Sequence, residues 1–148
     1  MNTEPRPRCD FEAGKLLVRF TATVSAQVDA IRPVVNGVMR IISEMQCGAG
    51  KEYEIELALH EALANAIVHG CGNDPSKFVE FCVACDESRG LLIVVRDPGP
   101  GFDPASIPNP TMGENIYSEH GRGIYLVNQL MDEVHFERGG TEIHMRKY

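Results

Sequence analysis

The stretch Asp97-Pro98-Gly99-Pro100-Gly101 is the most informative part of the chain. It directly follows the apolar run Leu91-Leu92-Ile93-Val94-Val95, so an acidic side chain stands at the end of a predicted strand. Glycines just after an aspartate let the backbone turn sharply and approach a ligand that a Cβ atom would exclude. Such an aspartate can accept a hydrogen bond from the exocyclic amine of adenine. An ordinary Asp-Pro-Gly turn without a binding role is, however, the commoner explanation when this stretch is considered by itself.

A predicted helix upstream carries a second motif. Between positions 57 and 68 the only polar side chains are His60, Glu61 and Asn65, and a helix that is apolar almost all round is buried. Glu61 and Asn65 are four residues apart and therefore share one face. Burying them is costly unless they meet a metal, a ligand or a polar network, and a partly exposed stripe is the alternative. The H-E-x-x-H pattern of zinc hydrolases is excluded, because Ala64 replaces its second histidine.

A third motif, Gly121-Arg122-Gly123, precedes a short helix predicted over 123–130. Glycine-rich backbone that leads into a helix N-terminus presents N–H groups to phosphate. The segment 103–120 before it is rich in Pro, Gly, Asn and Ser, and so long a loop in a small domain is usually functional or disordered. The chain has no G-x-x-x-x-G-K-[ST] sequence, so a P-loop is excluded.

The rest of the pattern predicts a single α/β domain over 1–148, with its elements in two layers. Strands are expected at 16–23, 77–85 and 91–96, and a hairpin at 133–137 and 141–146. Helices are expected at 26–45, with Ser25 as a candidate cap, and at 52–68. Pro33 should kink the first helix or mark its restart. Residues 1–12 are expected to form a flexible lead-in.

Composition narrows the functional classes. The chain has a net charge of −7 and no cluster of Lys and Arg, which disfavours nucleic acid as a partner. It has no apolar run of the roughly 20 residues that a membrane span needs, so a cytoplasmic protein is expected. Five scattered cysteines favour reduced thiols. Cys82 and Cys85 should point to opposite faces of a strand, and a structural role is expected because further metal ligands are missing.

Together these motifs resemble those of the GHKL (Bergerat-fold) ATPases. Within that group the chain is most similar to the small stand-alone serine-protein kinases that act as bacterial anti-sigma factors. The resemblance runs from the first strand to Lys147, and it includes His69-Gly70 and Gly140-Thr141. It implies an α/β two-layer sandwich of the Bergerat type, with a mostly antiparallel mixed sheet and helices on one face.

The resemblance also implies a role for each matching residue. Asn65 would hold Mg²⁺ on the phosphates of ATP, and Glu61 would be the general base that accepts a proton from the attacking hydroxyl. Asp97 would bind the adenine amine, assisted by Thr141 through a water. The glycines would shape the backbone around the nucleotide: Gly99 and Gly101 on the adenine and lid side, Gly121 and Gly123 at the phosphates. Arg122 would touch either the terminal phosphate or a partner, and 103–120 would be the ATP lid.

The activity implied is that of an ATP-dependent serine/threonine-protein kinase. It would phosphorylate a small anti-sigma-factor antagonist of the STAS type, and the antagonist would compete with a sigma factor for this chain, which is expected to be a homodimer. One alternative is a regulatory module whose protein binding depends on nucleotide, without significant kinase activity. A weaker alternative is an ATPase domain that serves a signalling kinase in trans.

Overall fold

The computed structural model describes residues 16–101 and 119–148. The predicted lead-in lies outside these residues, as does the predicted lid except for its last two positions. The elements in chain order are β1 (Leu16–Ser25), α1 (Ile31–Glu44), α2 (Glu52–Asn65), β2 (Phe78–Asp86), β3 (Gly90–Arg96), α3 (Glu119–Leu130), β4 (Glu133–Glu137) and β5 (Glu142–Lys147). No helix in the described part is long and apolar enough to cross a membrane.

The strands form one sheet in the order β1-β2-β3-β5-β4, and each of these pairings is antiparallel. Alternate residues along each strand face the helices, as the period of two in a strand requires. On β2, Val79, Phe81 and Val83 join the main core with buried residues of α1, α2 and α3. All three helices therefore pack on one face of the sheet, and the predicted two-layer α/β sandwich is confirmed.

The opposite face, here called the outer face, carries its own buried cluster of Cys82, Ala84, Leu92 and Val94. Cys82 and Cys85 therefore point to opposite faces, as predicted. The expectation of reduced thiols is wrong for Cys47 and Cys85, which form a disulfide with each other, and for Cys82, which is also disulfide-bonded. The turn after α1 lies against the end of β2 and brings the Cα atoms of Cys47 and Cys85 to 6.3 Å, which composition alone cannot show.

The start of the first helix differs from the prediction. Ser25 is the last residue of β1 rather than a helix cap, and its Oγ donates a hydrogen bond to the Pro75 carbonyl at 3.2 Å. A 3₁₀ turn, Val28–Ala30, follows before α1 begins at Ile31. Pro33 therefore lies in the first turn of α1, where its missing N–H leaves no intrahelical bond unmade. The α-helix runs without interruption from Ile31 to Glu44, so the change from 3₁₀ turn to α-helix lies two residues before Pro33 rather than at it.

Candidate functional site

The polar stripe of α2 faces a cleft between α2 and α3. Glu61 and Asn65 both line this cleft, which has a volume of about 390 Å³. The other lining residues are Ala64, Val68, His69, Gly123 and Leu126. The predicted common face of the two polar residues is therefore confirmed, and they are the carboxylate and the amide that the cleft offers to a ligand.

The amide of Asn65 has an acceptor available. Its Oδ1 atom is buried and has no hydrogen-bond partner among the residues that the structure describes. A buried acceptor without a partner costs roughly 1–3 kcal/mol, so its retention calls for an explanation. Amide oxygens are suitable ligands for Mg²⁺. The residues present therefore fit a magnesium ion, for which the Asn65 side chain would supply one oxygen ligand.

The helix α3 approaches α2 closely at a glycine. A Cβ atom built on Gly123 would lie 3.3 Å from Oε2 of Glu61, tighter than most such contacts. A side chain at this position would therefore press on the carboxylate. The glycine keeps the cleft open at the point where Glu61 stands.

The prediction that α3 begins at residue 123 is wrong by four positions, because the helix begins at Glu119. Gly121 and Gly123 thus lie within its first turns rather than in the loop before it. Ile124 and Val127 are buried and hold the helix on the core. The N–H of Gly121 is still among the four at the helix N-terminus that lack an intrahelical acceptor. The side chain of Arg122 lies outside the described residues.

Asp97 stands directly after β3, as predicted. Its N–H donates to the carbonyl of Thr141 at 2.9 Å, which joins the end of β3 to the start of β5. Its Oδ1 accepts a hydrogen bond from the N–H of Gly99 at 2.8 Å. Burial raises the pKa of the Asp97 carboxyl, and the bond from Gly99 offsets this only in part. The other carboxylate oxygen accepts no hydrogen bond from Gly99 and can receive a donor from a ligand.

The glycines around Asp97 allow backbone to pass where a side chain would collide. A Cβ atom on Gly70 would lie 2.3 Å from Cγ of Asp97, and one on Gly99 would lie 2.2 Å from the Gly70 carbonyl oxygen. A Cβ atom on Gly101, which has a φ of +78°, would lie 2.0 Å from the Gly139 carbonyl oxygen. All three positions therefore require glycine, and they place Asp97 beside the turn that precedes Thr141.

Comparison with known proteins agrees with this geometry. The sequence profile of the histidine kinase-like ATPase domain matches residues 24–147. The chain belongs to the histidine kinase-like ATPase family. Membership of an ATPase family implies that the ligand of this domain is a nucleotide.

The relatives of this ATPase domain place it in the anti-sigma factor branch of the family. It is similar to the anti-sigma F factor of Bacillus cytotoxicus, with 34% identity over 101 residues, covering 64% of this chain and 68% of the relative. The anti-sigma F factor of Geobacillus thermodenitrificans is 33% identical over 102 residues, with the same coverage of 64% and 68%. The serine-protein kinase RsbW of Bacillus subtilis is 30% identical over 129 residues, covering 79% of this chain and 80% of the relative.

Three features of the site were missed by sequence reasoning. Gly70 packs on Asp97, Gly139 packs on Gly101, and the buried free thiol of Cys71 lies close enough to Asp97 for its charge to act on it. Burial raises the pKa of this thiol, and the charge of Asp97 raises it further. The density of glycines at 70–72 was the available signal, since glycine so often marks close backbone approach.

Glu61 also lines a second groove of about 390 Å³ between α1 and α2. The other residues of this acceptor groove, as it is called below, are Arg32, Val35, Asn36, Tyr53, Glu56, Leu57 and His60. Tyr53 is exposed at its rim. Glu61 thus lies at the border between the cleft and this groove.

Proposed function

We propose that this ATPase domain is an ATP-dependent serine/threonine-protein kinase and anti-sigma factor that acts as a homodimer in the cytoplasm. It would phosphorylate a small STAS-type antagonist, which competes with a sigma factor for its surface. The names of its relatives support the class of activity. The observation that carries the proposal is the position of Glu61, on the stripe of Asn65 and between the cleft and the acceptor groove.

Recognition of the nucleotide would depend on the strand ends. Asp97 would accept a hydrogen bond from the exocyclic amine of adenine, with Thr141 assisting through a water. The Oγ1 of Thr141 donates to the Arg138 carbonyl at 2.8 Å, which fixes the side chain. Gly99 and Gly101 would let the backbone lie against the base, and Gly121 and Gly123 would lie at the phosphates. Arg122 would contact the terminal phosphate or a protein partner.

Phosphoryl transfer would need one proton acceptor. When the γ-phosphoryl group leaves ADP and bonds to the serine oxygen, the hydroxyl proton would pass to a carboxylate oxygen of Glu61. Magnesium bound by Asn65 would supply neutralisation of the phosphate charge. The acceptor groove gives a protein side chain a route to Glu61 that does not pass through the nucleotide cleft. Arg32 and His60 in this groove would orient the incoming segment.

The decisive experiment measures single-turnover phosphotransfer from Mg-ATP to candidate antagonist proteins. Glu61→Gln keeps the shape of the side chain, and we expect it to slow transfer by about 10²–10⁴-fold while leaving ATP affinity unchanged. Glu52→Gln, in the first turn of the same helix, is the matched control and should transfer at the wild-type rate.

Each result has a clear meaning. Wild-type transfer by Glu61→Gln would show that Glu61 is not the proton acceptor. ATP binding without transfer to any antagonist, combined with tighter sigma-factor binding in ATP, would favour the nucleotide-dependent binding module. Sedimentation of the purified chain would test the proposed homodimer.

A further inference from the structure

The outer face of the sheet carries a second group of ligating side chains at its β4–β5 edge. His135 of β4 lies directly opposite His144 of β5 in the antiparallel register, and Glu137 lies two residues beyond His135. Neighbouring residues of opposite parity, such as Phe136 and Met145, pack into the main core. The three ligating side chains therefore project away from the helices and away from the nucleotide cleft.

The distances within this group are those of a metal site. Oε1 of Glu137 lies 3.4 Å from Nε2 of His135, and its Oε2 lies 3.3 Å from Nε2 of His144. Ligand atoms of all three residues lie within 4.8 Å of one another. The two imidazole rings stack with centroids 4.6 Å apart and an interplanar angle of 13°, so their Nε2 atoms face the same carboxylate.

Tetrahedral geometry predicts such spacings. With bonds of about 2.0–2.1 Å from zinc to nitrogen or oxygen, adjacent ligands of a tetrahedron stand about 3.3–3.4 Å apart. Each histidine is at this edge length from one oxygen of Glu137, Oε1 for His135 and Oε2 for His144, and ligand atoms of all three residues lie within 4.8 Å of one another, so small side-chain rotations would bring them to the corners of one tetrahedron. The side chains of His135 and Glu137 are 61% and 53% exposed, so an ion can reach them from solvent.

A second carboxylate, that of Glu142, contacts His144, which is the least exposed of the three side chains. Oε1 of Glu142 lies 2.7 Å from Nε2 of His144, whose side chain is only 14% exposed. Oε2 of Glu142 accepts a hydrogen bond from Nε of Arg96 at 2.7 Å. Glu137 and Glu142 thus contact the same nitrogen of His144, the one that would bind a metal, so Glu142 is a candidate fourth ligand rather than a support on the other ring nitrogen. A metal at Nε2 would replace the proton shared with Glu142 and leave that carboxylate as a further oxygen donor.

We propose that His135, Glu137 and His144 form a binding site for Zn²⁺. Two imidazole nitrogens and one carboxylate suit zinc, whereas Mg²⁺ prefers oxygen ligands in octahedral geometry. The carboxylates of Glu137 and Glu142 place negative charge beside the two imidazoles, which favours a cation. Bound zinc joins β4 to β5 on either side of the turn Arg138–Gly140. This site is independent of the proposed kinase activity.

The test uses the untagged full-length chain, stripped of metal with EDTA. Calorimetry with Zn²⁺ should give one site per chain, and Co²⁺ in its place should give the intense visible absorption of a tetrahedral complex. His135→Gln and His144→Gln should each weaken Zn²⁺ binding by at least about tenfold. His60→Gln removes a histidine elsewhere, and Cys71→Ser removes the buried free thiol. Both controls should bind Zn²⁺ as the wild type does.

Several results would overturn the site. These are no zinc binding by the wild type, unchanged binding after His135→Gln, or loss of binding in Cys71→Ser. Competition by millimolar Mg²⁺ would also contradict it, since that ion belongs to the nucleotide cleft. The exposed His135 makes its substitution safe for folding, so the test stands even if His144→Gln folds poorly. Retained ATP binding by the variants would separate this result from any failure of the proposed function.

Discussion

The pKa values of two carboxyl groups at the ends of neighbouring strands are shifted in opposite directions by this fold. Asp97 follows β3 on the helix side, and burial raises its pKa because the single bond from Gly99 compensates only in part. Glu142 begins β5 on the outer face, where burial would also raise its pKa. Hydrogen bonds and charges of Arg96 and His144 outweigh that effect, so the pKa of Glu142 is lowered.

This difference distinguishes polar groups that are available to a ligand from polar groups that stabilise the fold. The helix side leaves acceptors available, such as Asn65 Oδ1 and a carboxylate oxygen of Asp97. Around Glu142 the outer face pairs its charges within the chain, through Arg96 and His144, although the buried Oδ2 of Asp86 at the end of β2 has no hydrogen-bond partner among the described residues. Available polar groups cost stability until a ligand arrives, whereas paired ones support the fold with or without a ligand.

The largest expected effect comes from filling the space that Asp97 needs. Gly99→Ala would place a methyl group 2.2 Å from the Gly70 carbonyl and 2.8 Å from Oδ1 of Asp97. We expect the free energy of unfolding to fall by about 2–3 kcal/mol through overpacking. Nucleotide affinity should fall at least about a hundredfold, which is about 2.8 kcal/mol in binding free energy. Denaturant unfolding and calorimetry with Mg-ATP measure the two changes.

Gly37 of α1 supplies the matched control for that substitution. A Cβ atom there meets nothing within 4 Å. Gly37→Ala should raise the free energy of unfolding by roughly 0.5–1 kcal/mol, because alanine is the better helix former. It should leave nucleotide affinity unchanged. Equal effects of Gly99→Ala and Gly37→Ala would show that the backbone around Asp97 is not closely packed.

The second prediction concerns the loss of one member of the ion pair on the outer face. Glu142→Gln removes the charge that lies 2.7 Å from the largely buried guanidinium of Arg96. Removing one member of a buried ion pair typically costs about 3 kcal/mol, and we expect a loss of that order in the free energy of unfolding. Nucleotide affinity should stay within about twofold. A loss below about 0.5 kcal/mol would place this pair with the weak surface ion pairs.

The third prediction concerns Asp97→Asn, which removes the charge but retains an oxygen for the Gly99 N–H. A carboxyl whose pKa is raised by folding opposes folding at pH values above that pKa. Loss of its charge should therefore leave the melting temperature at neutral pH unchanged or slightly higher, while binding of Mg-ATP is lost. A clear fall in melting temperature would mean that the charge of Asp97 supports the fold.

The smallest effect is a dependence of base recognition on pH. The Asp97 carboxylate accepts from the adenine amine only when ionised, so protonation below its raised pKa should weaken recognition. Discrimination between ADP and inosine diphosphate, which lacks that amine, should fall by up to tenfold per pH unit in this range. ADP and inosine diphosphate carry the same diphosphate group, so the effect of phosphate titration cancels in the ratio of their affinities. A ratio that is constant between pH 7 and pH 4 would contradict the role of Asp97.

Sequence patterns predicted those parts of the fold that repeat a simple period. The strands β2 and β3 and the hairpin of β4 and β5 begin and end within a residue of the predicted positions. The shared face of Glu61 and Asn65 followed from their spacing on a long apolar helix. Both predictions rest on contacts that are local along the chain.

Features that depend on contacts between distant segments were missed. The disulfide from Cys47 to Cys85 and the contact of Gly70 with Asp97 join residues far apart in sequence. Two glycines near the start of α3 disfavour helix, so local propensity predicted a later start than the one observed. The π-helical turn Ala66–Gly70, which carries His69-Gly70 toward Asp97, has no local signature because its pattern differs little from that of an α-helix.

The position of Glu61 at the border between the cleft and the acceptor groove has a kinetic consequence. If ATP occupies the cleft and the protein substrate enters through the acceptor groove, neither blocks the entrance of the other. Either substrate can then bind first, and the reaction passes through a ternary complex in random order. Initial-rate plots should intersect rather than run parallel, and ADP should inhibit competitively against ATP but noncompetitively against the antagonist.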